Sequence, residues 1–194
     1  MLSPGAPFTT LLVTWTVPDL QFVSTPFATV DRFRIFAGLG FLDIHVEMTV
    51  DAAQNVTSQI SAQGVGLFSL PVRPGDVIGP TLCLDVNRPG TAHYFVTNET
   101  TRQTTNFTID TGFPPAVVVN AGVSRGGNPA LPPFDQPLAR FGAVYFDEIS
   151  AFATTGRQSL TAGDAITMVD QNGRTLAEPV RLNDGAFKTL YTAS

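Results

Sequence analysis

Apolar and polar residues alternate with a period of two along most of the chain. Val13, Trp15 and Val17 interleave with Leu12, Thr14 and Thr16, and Ile44, Val46, Met48 and Val50 with His45, Glu47, Thr49 and Asp51. Leu82, Leu84 and Val86 do the same with Thr81, Cys83 and Asp85. Further runs rich in Val, Thr, Phe, Tyr or Ile occupy 92–98, 104–110, 116–123, 141–153, 165–170, 175–181 and 186–192. Successive side chains of a strand point to opposite faces, so this period predicts half-buried strands; no segment carries the stripe of an amphipathic helix. Asn87-Arg88-Pro89-Gly90, Thr101-Arg102-Gln103, Gln171-Asn172-Gly173-Arg174 and Asn183-Asp184-Gly185 each separate two such runs, as hairpin turns do. The expectation is an all-β chain, a single domain over residues 1–194 built as an antiparallel β-sandwich of jelly-roll, concanavalin-like type. Ser124 to Leu138 is its one long irregular loop.

Composition narrows the function classes. With 43% hydrophobic and 14% charged residues the chain is too apolar to stay disordered. Eleven Lys and Arg against 16 Asp and Glu, net charge −5, offer no electrostatic footprint for nucleic acid, and no basic run for anionic lipid. No apolar run approaches the roughly 20 residues of a membrane-spanning helix. The first residues lack the basic and apolar regions of a signal peptide. One cysteine, Cys83, permits no intrachain disulfide, and its place between leucines predicts a packed thiol. Asn55, Asn98 and Asn106 head Asn-x-Thr sequons.

The candidate chemistry lies on the strand at 43–51. Its odd positions put Asp43, His45, Glu47, Thr49 and Asp51 on one face, with about 7 Å between successive members. Carboxylates beside an imidazole suit general acid–base work; the same pattern also fits a solvated outer face. His93, the second histidine, is far off in sequence and provides no zinc-ligand spacing, so no metal or other cofactor is implied. Asp147 and Glu148 are adjacent and are expected on opposite faces of a strand. Two histidines leave few options for a Ser-His-Asp triad.

Several short runs together resemble the eqolisins, the glutamic peptidases of the scytalidoglutamic type. They are Thr14-Trp15-Thr16-Val17-Pro18, Phe36-Ala37-Gly38-Leu39-Gly40 followed by Ile44 to Asp51, and Val72-Arg73-Pro74-Gly75-Asp76-Val77-Ile78. Phe95 to Gln103, Phe141-Gly142-Ala143-Val144-Tyr145-Phe146 and Ile166-Thr167-Met168-Val169 complete the series in order. The resemblance implies a sandwich with a cleft on the concave face of one sheet, and a secreted endopeptidase working at acid pH without a cofactor. In that family a Glu activates water and a Gln orients it and stabilises the oxyanion.

Carried over by position, the family's Gln falls on Glu47 and its Glu on Asn120, so both members of the dyad are substituted. The family's Trp becomes Phe36, and its cysteine pair is missing. One expectation is an inverted pair, with Glu47 as general acid or base, Asn120 as its amide partner and His45 tuning Glu47. Phe36, Asp43, Thr49, Tyr94 and Tyr145 are then the expected binding residues. The alternatives are an inactive module that binds a peptide, carbohydrate or small-molecule ligand in the cleft, and a non-hydrolytic isomerase or lyase on the same face.

Overall fold

The computed structural model describes residues 6–23, 29–126 and 137–193. In chain order their strands are β1 (Phe8–Thr16), β2 (Leu20–Gln21), β3 (Val30–Leu39), β4 (Leu42–Asp51), β5 (Val56–Ala62), β6 (Gly66–Phe68), β7 (Val77–Leu84) and β8 (Thr91–Asn98). They continue as β9 (Gln103–Asp110), β10 (Val119–Ser124), β11 (Arg140–Phe141), β12 (Ala143–Ala153), β13 (Gly156–Gln158), β14 (Met168–Val169), β15 (Thr175–Asn183) and β16 (Ala186–Tyr191). A single 3-10 turn at Leu160–Ala162 is the only helical element among the described residues, and no helix there is long and apolar enough to cross a membrane.

Two antiparallel sheets carry the architecture. The larger has nine strands in the order β14-β15-β16-β12-β1-β7-β8-β9, with β13 paired to β12; the smaller has five, in the order β10-β3-β4-β5-β6. The core lies between them. Leu11, Val13 and Trp15 of β1, Val144 and Phe146 of β12, and Tyr94 and Val96 of β8 face Phe33, Ile35 and Ala37 of β3 and Ile44, Val46 and Met48 of β4, all at most 2% exposed. The all-β expectation holds, and the fold is an antiparallel β-sandwich.

Register in the small sheet follows from this burial. Every even residue of β4 and every odd residue of β3 from Asp31 is buried, and a slip by one position would move the whole apolar set into water. The two strands pair over their full ten residues, from Val30↔Asp51 to Leu39↔Leu42. They join at Gly40, whose φ of 60° and whose distance of 2.9 Å from an added Cβ to the Ala116 Cβ demand glycine.

Three local readings change. The strand set read from alternation omits β3 and β5; in β3 Phe33, Ile35, Ala37 and Leu39 do alternate with Arg32, Arg34, Phe36 and Gly38, but arginines on one face and two glycines at its end mask the signal, while β5 is mostly polar. The run at 165–170 yields only Met168–Val169. Asp147 and Glu148 are both exposed, because a register shift between β1 and β12 and a positive φ of 54° at Glu148 form a bulge that breaks the strict alternation. Most of the long loop, 127–136, falls outside the described residues. Beyond it the chain rejoins β3, where Arg32 N–H donates to Pro137 O at 3.2 Å.

Buried polar groups tie the loops down. Asp76 accepts from Arg73 N at 2.9 Å and Asn98 Nδ2 at 2.8 Å, while Asn98 Oδ1 accepts from Thr101 N at 3.1 Å. The 72–78 and 95–103 runs therefore form one lock at the end of the sandwich. Asn98 is fully buried in it, which closes that sequon to a glycan in the folded chain. Asp31 is also fully buried; its Oδ2 accepts from Val23 N, and its Oδ1 has no partner among the described residues.

Burial raises the Asp31 carboxyl above its ordinary range, with the Val23 bond opposing. A carboxyl whose folded-state pKa is raised contributes no penalty below its unfolded value, and the fold loses stability as pH rises through the folded value. We expect Asp31→Asn to raise Tm more at neutral than at acid pH. An equal gain at both, in thermal unfolding followed by circular dichroism, would contradict this account.

Candidate functional site

The polar positions of β4 lie on the outer face of the small sheet, as the alternation predicts. Their neighbours come from pairing. Across the sheet Arg34, Glu47 and Gln59 are level, as are Phe36, His45 and Ser61, and Arg32, Thr49 and Thr57. On the other side of β3, Asn120 is level with Gly38, Gly122 with Phe36 and Ser124 with Arg34.

Each of these residues has distinct partners. Glu47 Oε1 accepts from Arg32 Nη1 at 3.0 Å, and its Oε2 lies 3.5 Å from Arg34 Nη2. Gly126, at the start of the long loop, approaches so closely that an added Cβ would lie 3.4 Å from Glu47 Oε1. Thr49 shares a hydrogen bond of 2.7 Å with Thr57. Asp51 closes the β4–β5 turn, accepting from Asn55 Nδ2 at 3.0 Å and from Ala53 N and Asn55 N at 2.9 Å each. The Asn55 side-chain bond, with the backbone bonds behind it, holds the Asp51 carboxyl below its ordinary range.

His45 forms a relay. Its Nδ1 is bonded to Asp43 Oδ1, and its Nε2 lies 2.8 Å from Ser61 Oγ. A carboxylate only accepts, so Nδ1 carries a proton toward Asp43 and, in the neutral ring, Nε2 accepts from the Ser61 hydroxyl. The imidazole side chain is 16% exposed. Ser61 is the residue that sequence reasoning missed. Its signal is the short 56–62 strand after the Asp51 turn, but only pairing with β4 makes it a neighbour of His45.

The register does not bring Glu47 and Asn120 together. Glu47 is level with Ser124 and Asn120 with Asp43, so four residues along the strand and two strand spacings separate them, about 16 Å between backbones. Asn120 instead folds over Gly38, where an added Cβ would meet its Oδ1 at 2.3 Å. Across Gly38 the level carboxylate is Asp43, already engaged by His45.

Two expected binding residues lie elsewhere. Tyr94 is fully buried on the inner face of β8, where its hydroxyl crosses the core to donate to Gln63 O at 3.1 Å. Burial, and secondarily the charge of Asp43, pushes its phenol far up. Tyr145 is 44% exposed but sits on the outer face of the large sheet, level with Lys188, on the opposite side of the sandwich. In both cases the strand belongs to the other sheet. Among the described residues no group of three His, Cys, Asp or Glu side chains is placed to hold a metal. Cys83 is half-buried on β7, its thiol pushed up mainly by burial.

Beside this face lies a cavity of about 500 Å³. It lies where the larger sheet continues through β16 and β15 beyond the β10 edge of the smaller one, with residues of the segment 160–168 completing its lining. Ala177, Phe187, Leu160 and Met168 form apolar walls, and Phe36, Asn120 and Gly122 connect the cavity to the β4 face. Ile166, another wall residue, is 84% exposed.

The chain belongs to the peptidase A4 family, whose profile matches residues 2–191. It is similar to the crystal structure of scytalido-glutamic peptidase with a peptide-based transition-state analogue, at 14% identity over 98% of this chain and 96% of that one, TM-score 0.73. SCP-B, an eqolisin in complex with the tripeptide Ala-Ile-His, matches at 16% identity over 98% and 96%, TM-score 0.71. Aspergilloglutamic peptidase from Aspergillus niger matches at 16% over 84% and 99%, TM-score 0.66. No curated protein matches by sequence. The fold is thus that of the eqolisin glutamic peptidases.

We expect Tyr94→Phe to cost about 1 kcal/mol of stability, the net worth of one hydrogen bond, in urea denaturation. Ligand binding should be unchanged, because the phenol faces the core; a binding defect in a folded Tyr94→Phe protein would return Tyr94 to the site.

Proposed function

We propose that this chain binds an extended peptide across the outer face of the five-stranded sheet, with one apolar side chain entering the cavity beside β10. The observation that carries this reading is a transverse row. Gly122, Phe36, His45, Ser61 and Leu67 stand level on five consecutive strands, starting at the cavity wall. Leu67, at the far end, is 65% exposed. From Gly122 to Ser61 the row spans three strand spacings, about 14 Å, or roughly four residues of extended chain. Two relatives of the same fold carry a peptide-based analogue and a tripeptide.

Glu47 does not serve as a general base in this reading. Each of its oxygens faces a guanidinium, and the amide meant to cooperate with it is four residues out of register. The carboxylate holds Arg32 and Arg34 in place under the start of the long loop. A carbohydrate is less well supported, since stacking would need aromatic platforms and only Phe36 of the three expected aromatics lies on the face.

Titration calorimetry with short apolar peptides tests the proposal. Binding should weaken by about tenfold or more in Phe36→Ala, the loss of one buried aromatic contact. Glu47→Gln should leave any casein turnover at acid pH unaltered. Cleavage at acid pH that Glu47→Gln abolishes would overturn the reading in favour of glutamic-type chemistry.

A further inference from the structure

We propose that Ser61, His45 and Asp43 form a nucleophilic triad, and that this face carries out acyl transfer from esters or amides with an apolar acyl group. The inference goes beyond peptide binding and uses the same face. Three observations support it. The polarity of the relay is the one nucleophilic catalysis needs: the carboxylate on Nδ1 fixes the tautomer, and Nε2 is left to take the proton of the hydroxyl at 2.8 Å. The two strands hold the geometry, because His45 and Ser61 are a direct cross-strand pair and Asp43 is the next residue on the same face of β4. The site also opens onto the row that leads past Phe36 to the apolar cavity.

The reaction balances without a cofactor. Ser61 Oγ bonds to the acyl carbon while its proton passes to His45 Nε2, and the carbonyl oxygen takes the negative charge. The tetrahedral species collapses, breaking the bond to the alcohol or amine, which leaves with the proton from Nε2. Water then attacks the acyl-Ser61 ester, gives one proton to Nε2, and the acid departs as Nε2 returns that proton to Ser61 Oγ. Asp43 touches no reacting atom; it is a positioning residue for the ring. Gln59, exposed two residues back on the same face of β5, is the amide we assign as donor to the carbonyl oxygen.

Acylation requires a neutral imidazole to take the hydroxyl proton, whereas a glutamic mechanism works through a carboxyl group. The charged groups around the ring are Asp43 and Glu47 on its own strand and Arg34 on β3; the facing positions of β5 and β6 are Gln59, Ser61 and Leu67, all uncharged.

A fluorophosphonate probe and a p-nitrophenyl butyrate assay on the full chain at neutral pH test this. We expect one covalent adduct, mapped by mass spectrometry to Ser61, and ester turnover that falls about a thousandfold or more in Ser61→Ala and His45→Gln. Asp43→Asn should lower kcat with KM held, and Gln59→Ala should slow acylation while leaving peptide affinity intact. No adduct on the wild-type chain, or turnover indifferent to Ser61→Ala, overturns the triad. Labelling the wild-type chain needs no variant to fold. If peptides bind the wild-type chain while no adduct forms on it, the triad fails and the binding reading stands. If Ser61 is labelled but no peptide binds, the binding reading fails and the triad stands.

Discussion

The β3–β4 pairing governs the rest of the structure. One face of both strands is sealed against the large sheet by Phe33, Ile35, Ile44, Val46 and Met48, none of them measurably exposed. Shifting the pairing by one residue would turn all of these toward solvent, at roughly 1.5–3 kcal/mol for each large side chain. That penalty locks the register, and the lock extends to the opposite face, where no comparable burial acts. Arg34 stands beside Glu47, and Phe36 beside His45, because the core beneath them permits no other alignment. The chemistry of the outer face is therefore positioned by hydrophobic burial on the inner one.

The same constraint separates what the chain shares with its family from what it does differently. The lock between Asp76 and Asn98 draws on two of the runs that carry the resemblance, and both residues work as loop anchors inside the fold. Trp15 and Phe146, also within such runs, meet in the core with ring centres 6.4 Å apart. Residues of this kind account for a likeness in fold at 14–16% identity. The positions aligned with the dyad behave otherwise. Glu47 is held between two arginines and Asn120 lies over a glycine, so neither is free to face the other.

What remains on the face is a graded surface. It runs from an apolar cavity beside the β10 edge, over the Phe36 ring, to a hydroxyl tied through an imidazole to a carboxylate. Glu47 and its arginines lie two residues further along β4, beneath the entry to the long loop. The Phe36–His45–Ser61 row and the loop-anchoring Glu47 row are thus neighbours on one sheet, separated by a single pleat repeat of about 7 Å.

Alternation and turn residues alone determined that the chain is all-β, that Val13, Trp15, Ile44 and Val46 face a core, and that Asp43, His45, Glu47 and Thr49 share one face. They did not reveal β3, where arginines and glycines interrupt the hydrophobic signal, nor the bulge at Glu148. Nor did they tell which sheet a strand joins. Tyr94 and Tyr145 look equivalent as aromatic positions on strands, yet one lies inside the sandwich and the other on its far side. Tertiary structure alone placed Ser61 against His45, 16 residues away, and Arg32 and Arg34 against Glu47, while moving Asn120 out of its reach. The physical reason is that a period of two assigns side chains to faces within a strand, a local property. Which faces meet, and at what register, is set by burying the whole apolar surface at once, and that depends on residues distant in the chain.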